Sequence, residues 1–366
     1  MSNILYIGPY REFTGMGNAA RQYIKALLVA GHNIGIRPIY NIFKAYPEKD
    51  IDYEILELES NISKPYDILI QHCYPHQLYY DNRFQKNIGI IHLESNNYYS
   101  NLSNYINMMD EIIVGSNFVH KTLSSINFDK PIKVVPEPID LEFIKKYRDN
   151  NARSIKNNYS FYAIGDLSER KNLYEIVKAF VVAYDTDDNV DLVLKIISNQ
   201  ERVATDQEIE YELNKIYSRI KKNYEKRPRI VFGDIDYHSM LYLHNNNDCF
   251  INVSSGESFG YSTLEAMAFN NQLIVNDHIG SSEIIDEDCG LFNNVYKRSC
   301  EDSSRLYHIY NSYHQSWHKP EIDSLIVNMN TARNESKENR EKRVEKQNDR
   351  LNNFSIESIS KTLINI

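Results

Sequence analysis

Two glutamates separated by seven residues, Glu257 and Glu265, lie in the run Ser254-Ser255-Gly256-Glu257-Ser258-Phe259-Gly260-Tyr261-Ser262-Thr263-Leu264-Glu265-Ala266-Met267-Ala268, directly after the apolar segment Cys249–Val253. The pattern predicts a loop carrying Glu257 and a helix beginning near Leu264, capped by Ser262 or Thr263, with Glu265 in its first turn. Both carboxylates then stand at the C-terminal edge of a sheet, where open α/β sheets bind ligands. A first-turn glutamate also serves as a dipole partner, a reading open to Glu265 and not to Glu257. A second stretch, Gly165-Asp166-Leu167-Ser168-Glu169-Arg170-Lys171-Asn172, joins a strand to a helix over Leu173–Phe180. Its adjacent cations offer a planar fork and a point charge, which suits a diphosphate; an exposed charged turn is the alternative. A third, Thr14-Gly15-Met16-Gly17-Asn18, opens a helix whose Ala20, Tyr23, Ile24, Leu27 and Leu28 share one face and which stops at Gly31. Glycines there admit a ligand to the backbone, and a helix N-terminus favours an anion. The same turn also serves a purely structural end, and it lacks the Gly-x-Gly-x-x-Gly dinucleotide spacing.

These groups need a scaffold that brings strand ends together. Short β-branched runs at Ile4–Ile7, Ile34–Ile39, Asp67–Gln71, Ile88–His92, Glu111–Gly115 and Ile132–Val135 alternate with helical patterns. The rhythm restarts at Ser160–Gly165 and continues through Asp191–Ile197, Arg229–Phe232, Cys249–Val253 and Gln272–Val275. Such alternation implies parallel sheets covered by helices, and 366 residues suit two domains that each bury a core. The expected organisation is a first Rossmann-like domain over 1–140, a linker over 141–158 after Pro136 and Pro138, and a second Rossmann-like domain over 159–350. The charged stretch Arg333–Arg350 reads as a solvated helix face. Beyond it, Phe354, Ile356, Ile359, Leu363 and Ile364 give a terminal helix, residues 351–366, with one apolar face that must dock.

Composition excludes several classes. A net charge of −9 and a pI near 5.7 argue against a general duplex-DNA binder, which needs a basic face. No run approaches the roughly 18 apolar residues of a membrane span. The N-terminal Met-Ser-Asn lacks the basic flank of a secretory signal. Cys73, Cys249, Cys289 and Cys300 show neither metal-ligand nor disulfide spacing, so a cytoplasmic setting is expected, peripheral membrane association remaining open. The 28 tyrosines are read as a compositional bias rather than a binding surface.

Glu257 and Glu265 match the Glu-x7-Glu motif of retaining glycosyltransferases with the two-Rossmann-domain (GT-B) fold, and Glu-x-Phe-Gly-x-x-x-Leu-Glu-Ala-Met-Ala resembles family four, the group 1 type. The order of the other elements resembles that family too. Thr14–Gly17 is similar to its glycine loop, Val135-Pro136-Glu137-Pro138-Ile139-Asp140 to its inter-domain stretch, and Arg170-Lys171-Asn172 to its phosphate-binding stretch. Gly280-Ser281-Ser282-Glu283-Ile284-Ile285, Gly290-Leu291-Phe292 and Asn353-Phe354-Ser355-Ile356-Glu357 continue the likeness to the C-terminus. The resemblance implies α/β architecture with two Rossmann-like domains facing across a cleft and a final helix crossing back to the first. It further implies a nucleoside-diphosphate sugar as donor, a glycan or other hydroxyl acceptor, no metal and no separate cofactor.

Residue by residue, the resemblance assigns Glu265 to the donor ribose, Glu257 to the donor sugar, and Arg170 and Lys171 to the diphosphate. Gly15, Gly17 and the backbone of Phe259, Gly260, Tyr261 and Ser262 would lie around the donor. His92, just after the apolar Ile88–Ile91, matches a family histidine that faces the sugar, although a histidine at a strand edge also serves as a structural hydrogen-bonder. Glu94 is either an acceptor contact or a surface residue. The chain departs from the family at Asp166, where arginine is frequent, at Ser258, where glycine is usual, and at Ser262, where proline is common. Arg170 is the candidate to supply the charge missing at Asp166. Asp234-Ile235-Asp236 reads as a turn rather than a metal site. A sugar-nucleotide epimerase, a phosphorylase or a non-catalytic sugar-nucleotide-binding module would share the fold.

Overall fold

The structure, a computed structural model, describes residues 1–12, 14–40, 51–61, 65–96, 102–125, 128, 130–154, 156–196, 206–220, 225–233, 235–300 and 315–366. The first domain comprises β1 (Asn3–Gly8), α1 (Gly15–Val29), β2 (Asn33–Pro38), α2 (Tyr53–Glu57), β3 (Ile68–His72), β4 (Lys86–Ile90), α3 (Ser103–Ile106), β5 (Glu111–Val114), α4 (Asn117–Ser124) and β6 (Ile132–Val134). Helix α5 (Leu141–Asn150) leads into the second domain. There follow β7 (Tyr159–Gly165), α6 (Leu173–Tyr184), β8 (Val190–Ile196), α7 (Asp206–Ser218), β9 (Arg229–Phe232), α8 (Tyr237–Asn245), β10 (Cys249–Asn252), α9 (Tyr261–Ala268) and β11 (Gln272–Asn276). The chain ends with β12 (Leu291–Asn293), β13 (Val295–Ser299), β14 (Ser316–Pro320), α10 (Ile322–Arg333), α11 (Lys337–Leu351) and α12 (Ile356–Leu363).

Each domain has one parallel sheet, ordered β2-β1-β3-β4-β5-β6 in the first and β12-β11-β10-β7-β8-β9 in the second. Strand order reverses between β1 and β3 and between β7 and β10, and the crevice at such a switch point is where ligands of open α/β sheets bind. The two domains meet through contacts such as Asn18 with Glu265 and Glu94 with Arg170. No helix among the described residues is long and apolar enough to cross a membrane.

Several expectations are corrected. Residues 141–150 of the expected linker form a helix, because Asp140 accepts from Phe143 N and caps α5, whose Ile144 is buried. Leu28 is 37% exposed and does not share the buried face of α1 with Ala20, Tyr23, Ile24 and Leu27. The antiparallel ribbon β13–β14 escaped the sequence reading because Val-Tyr-Lys-Arg-Ser carries little β-branched signal.

The charged stretch Arg333–Arg350 starts at the last residue of α10 and runs through α11, which Ser336 caps. Its face is not wholly solvated. Arg343 is buried, with its Nε 2.7 Å from Glu335 Oε1, and Gln347 donates to the carbonyls of Asn271 at 2.9 Å and Cys289 at 2.8 Å. At the terminus α12 starts at Ile356, capped by Ser355, and Ile364 is exposed. Buried Phe354, Ile356, Ile359 and Leu363 join one apolar cluster with Tyr23 of the first domain and Tyr261 and Leu264 of the second. The helix lies against α1, where the His32 ring meets the Leu363 carbonyl at 2.8 Å.

Candidate donor site at the domain interface

Lys171 and Glu257 are brought together from loops at neighbouring strand ends. After β7 the chain makes a 3-10 turn over Glu169–Lys171 and enters α6 through Asn172, held at φ 52°. That strained entry is stabilised by its side chain, which donates to Val253 O at 2.6 Å and Ser255 Oγ at 2.8 Å, while Ser255 N donates to Arg170 O at 2.7 Å. The buried Lys319 of β14 ties the turn from the other side, 2.8 Å from Glu169 O and 2.6 Å from Asn172 Oδ1. The Glu169–Asn172 turn and the Glu257 loop are therefore one hydrogen-bonded unit.

Lys171 Nζ lies 2.8 Å from Glu257 Oε2. Burial opposes ionisation of Glu257, yet Lys171 and Arg170 outweigh it and hold the carboxyl below its usual range. Arg170 is committed elsewhere: it donates to Gly256 O at 2.9 Å and forms an ion pair with Glu94 of the first domain at 3.1 Å, with Glu257 at 3.6 Å. Glu94 is thus an inter-domain ion-pair partner. Burial, then the charge of Glu257, raises its carboxyl against the pull of Arg170 and Lys171.

Helix α9 starts at Tyr261, earlier than expected, with no side-chain cap. Gly260 is the entry residue at φ 94°, and a Cβ there would approach Ser281 Cβ to 2.5 Å, so backbone conformation and close packing both demand glycine. Thr263, expected as a cap, instead accepts from Asn252 Nδ2 at 2.8 Å. Phe259 and Tyr261 are buried, Phe259 packing edge-on against Phe354 with centroids 6.0 Å apart, whereas Ser262 is half-buried.

Glu265 is buried and points toward the first domain, with Asn18 Nδ2 at 3.4 Å from its Oε1 and His244 Nε2 at 3.6 Å from its Oε2. Burial and then the charge of Glu265 push the Tyr237 phenol well above its ordinary range. Helix α1 begins opposite at Gly15, beside Tyr261, and Thr14 caps it by accepting from Gly17 N at 3.0 Å.

His92 is engaged by its own domain. One ring nitrogen, Nε2, is 2.7 Å from His72 Nε2, and the other, Nδ1, is 3.4 Å from Glu137 Oε1. Burial is the main cause that lowers its pKa to about 4, against the charge of Glu257. Of the Asp-x-Asp pair, Asp236 caps α8 by accepting from Ser239 N at 2.8 Å, and Asp234 lies outside the described residues.

The domains touch at further points. Ser116 donates to Ser258 O at 2.5 Å, and Glu283 of the second domain accepts from Asn117 N at 2.8 Å and Phe118 N at 2.6 Å, capping α4 from outside its own domain. Sequence reasoning missed Asn18, His72, Glu137, His244 and Lys319 as parts of this region. Only Glu137 left a signal, as a charged residue between two prolines.

Two six-stranded parallel sheets, one per domain, give the architecture of the GT-B fold. Residues 145–296 match the model of the family described as glycosyl transferases group 1. No curated protein matches the chain. Among solved structures it is similar to HepE of Anabaena in complex with UDP-glucose (14% identity, 99% of this chain and 98% of that chain, TM-score 0.68). It is also similar to the trehalose-6-phosphate synthase OtsA (12%, 99% and 98%, TM-score 0.68) and to sucrose-phosphate synthase from Thermosynechococcus elongatus (14%, 99% and 97%, TM-score 0.66). At these identities the likeness is one of fold.

Proposed function

We propose that the protein transfers a sugar from a nucleoside-diphosphate sugar to an acceptor hydroxyl with retention of anomeric configuration, without a metal ion. The observation that carries this reading is the Lys171–Glu257 contact of 2.8 Å in front of the N-terminus of α9, with Glu265 buried farther along the same helix. A cation beside a helix N-terminus is a site for the departing diphosphate, and preorganised charge of this kind stabilises a leaving group without reorganisation. Glu265 would receive the ribose hydroxyls, displacing its contact with Asn18. Glu257 would lie along the sugar, where its carboxylate favours the positive character that the anomeric carbon acquires as the bond to phosphate lengthens.

Arg170 enters this scheme by orienting the loop through Gly256 O and Glu94, leaving Lys171 as the cation nearest the reaction. Because HepE was solved with UDP-glucose, uridine diphosphate sugars are the first donors to test. The experiment is a calorimetric screen of nucleoside-diphosphate sugars, followed by nuclear magnetic resonance of the product's anomeric proton in a mixture of acceptors. Transfer with an inverted anomer removes the retaining assignment. Turnover only with inorganic phosphate, or without any acceptor, replaces the transferase by a phosphorylase or an epimerase.

A further inference from the structure

At the edge of the first domain, the buried side chains of Tyr6, His72 and Glu137 and the partly exposed His92 form one line. Tyr6 Oη is 2.6 Å from His72 Nδ1, His72 Nε2 is 2.7 Å from His92 Nε2, and His92 Nδ1 is 3.4 Å from Glu137 Oε1. The two imidazole centroids are 5.0 Å apart and their planes differ by 23°, so the rings meet nitrogen to nitrogen, nearly in one plane. Two neutral imidazoles in this arrangement share one N–H between their facing nitrogens, and each ring carries a single proton. Fixing that one proton therefore fixes the others along the line.

We propose that His72 and Glu137 are positioning residues for His92, and that the line from Tyr6 to Glu137 runs in one of two senses selected by the protonation of Glu137. The proposal rests on the reading of His92 as the group beside the donor sugar. With Glu137 protonated, the carboxyl closes in from its 3.4 Å ion-pair distance so that its O–H donates to His92 Nδ1, while His92 Nε2–H donates to His72 Nε2 and His72 Nδ1–H donates to the Tyr6 oxygen. With Glu137 ionised, every bond reverses. Tyr6 O–H donates to His72 Nδ1, His72 Nε2–H donates to His92 Nε2, and His92 Nδ1–H donates to the carboxylate. Passing from the first state to the second moves the Glu137 proton to His92 Nδ1, the His92 Nε2 proton to His72 Nε2 and the His72 Nδ1 proton to the Tyr6 oxygen, whose own proton passes to solvent water, so that one proton is released and both rings end neutral.

The surroundings bias this choice. Glu257 and Glu265 of the second domain bear on Glu137, and burial followed by these two charges pushes its carboxyl well above the usual range. Burial and then His92 hold His72 well below the ordinary histidine value, so neither ring supplies a stable positive charge. Around the line, Tyr6 and Cys73 are buried, and the Tyr23 hydroxyl is directed away, donating to Val135 O at 2.6 Å. Tyr261 faces Glu137 from α9, while Lys171 and Arg170 bear on the line through Glu257. A diphosphate that draws Lys171 off Glu257 leaves that carboxylate less neutralised, which favours protonated Glu137 and the tautomer of His92 whose Nε2–H is held by His72. Donor binding is thereby coupled to the tautomer of the sugar-side histidine.

The test is long-range nitrogen–proton spectroscopy of the protein with isotope-labelled histidine, recorded across pH for the native protein and for Glu137→Gln. The expected result is that His72 and His92 exchange tautomers together while both stay neutral, and that the exchange disappears in Glu137→Gln, whose amide cannot titrate. Independent formation of two imidazolium ions near the ordinary value of about 6.5, or a tautomer exchange that survives Glu137→Gln, overturns the proposal. In transfer assays kcat should show a pH inflection that Glu137→Gln lacks, with donor KM changed by less than about twofold. A matched fall of kcat and rise of KM with an unaltered pH profile would mean a merely structural Glu137. Should no donor be turned over, the proposed function fails while the spectra still decide the chain.

Discussion

Replacing Lys171 with methionine keeps the apolar stem and removes only the ammonium. That ammonium stands 2.8 Å from Glu257 Oε2, with the two side chains 16% and 14% exposed. Its removal leaves Arg170, 3.6 Å away and already paired with Glu94, as the nearby cation for Glu257. One charge-assisted contact to a diphosphate is worth about 1.5–3 kcal/mol, so Lys171→Met should weaken nucleoside-diphosphate affinity about ten- to a hundredfold. Fold stability should fall by only about 1 kcal/mol, because the pair keeps partial access to solvent and Arg170 remains. Arg170→Met should behave in the opposite way. It removes the buried guanidinium from Glu94, whose side chain stays 26% exposed, and loses the tie to Gly256 O, and hydrogen bonds of this charged kind are worth about 1.5–3 kcal/mol. The assay is calorimetry of the nucleoside diphosphate and of the parent nucleoside on both variants, alongside urea unfolding. An unchanged diphosphate affinity in folded Lys171→Met, or an equal loss for the nucleoside that lacks phosphates, would refute the assignment.

Three other perturbations follow from the same contacts. Gly256→Ala would drive a Cβ into the Glu94 carbonyl oxygen of the opposite domain, so the domains should separate locally, with faster hydrogen exchange at residues 92–96 and 254–258; unaltered exchange there would contradict it. Acidification should destabilise the fold between about pH 6.5 and pH 4, since His92 has a folded-state value of about 4 and the unfolded chain takes up its proton first. The slope is at most about 1.4 kcal/mol per pH unit for each such proton. Glu257, held low, adds a loss at still lower pH, whereas the share of Glu137, held high, is lost as pH rises through its folded value. Urea midpoints against pH for native protein and His92→Gln check this, the variant showing a shallower acid limb. Truncation after Leu351 removes the buried Phe354, Ile356, Ile359 and Leu363 and should loosen α1 and the first sheet; exchange that rises only in the second domain would contradict the docking.

Much of the scaffold was legible because its signals are local. The β-branched runs at Ile4–Ile7 and Cys249–Val253 each precede a glycine-bearing turn and a helix with one apolar face, and backbone periodicity alone separates strand from helix there. The ribbon β13–β14 and the helix over Leu141–Asn150 were not legible in the same way. The ribbon's outward side chains are polar. The helix depends on a cap, Asp140, placed within a stretch whose prolines and charges read as a break.

By itself the sequence determined two αβ repeats, the loop position of Glu257, the helical position of Glu265 and the adjacency of Arg170 and Lys171. These follow from spacing along one chain segment, where torsional period and turn chemistry act over a few residues. The tertiary structure alone decided how the two cations divide, Lys171 toward Glu257 and Arg170 toward Glu94. It also decided that Glu265 meets Asn18, that Glu283 caps α4, and that His72, His92 and Glu137 form one line. The partners in these contacts come from different strand ends or opposite domains, and their meeting depends on strand order and domain closure, which no local propensity encodes.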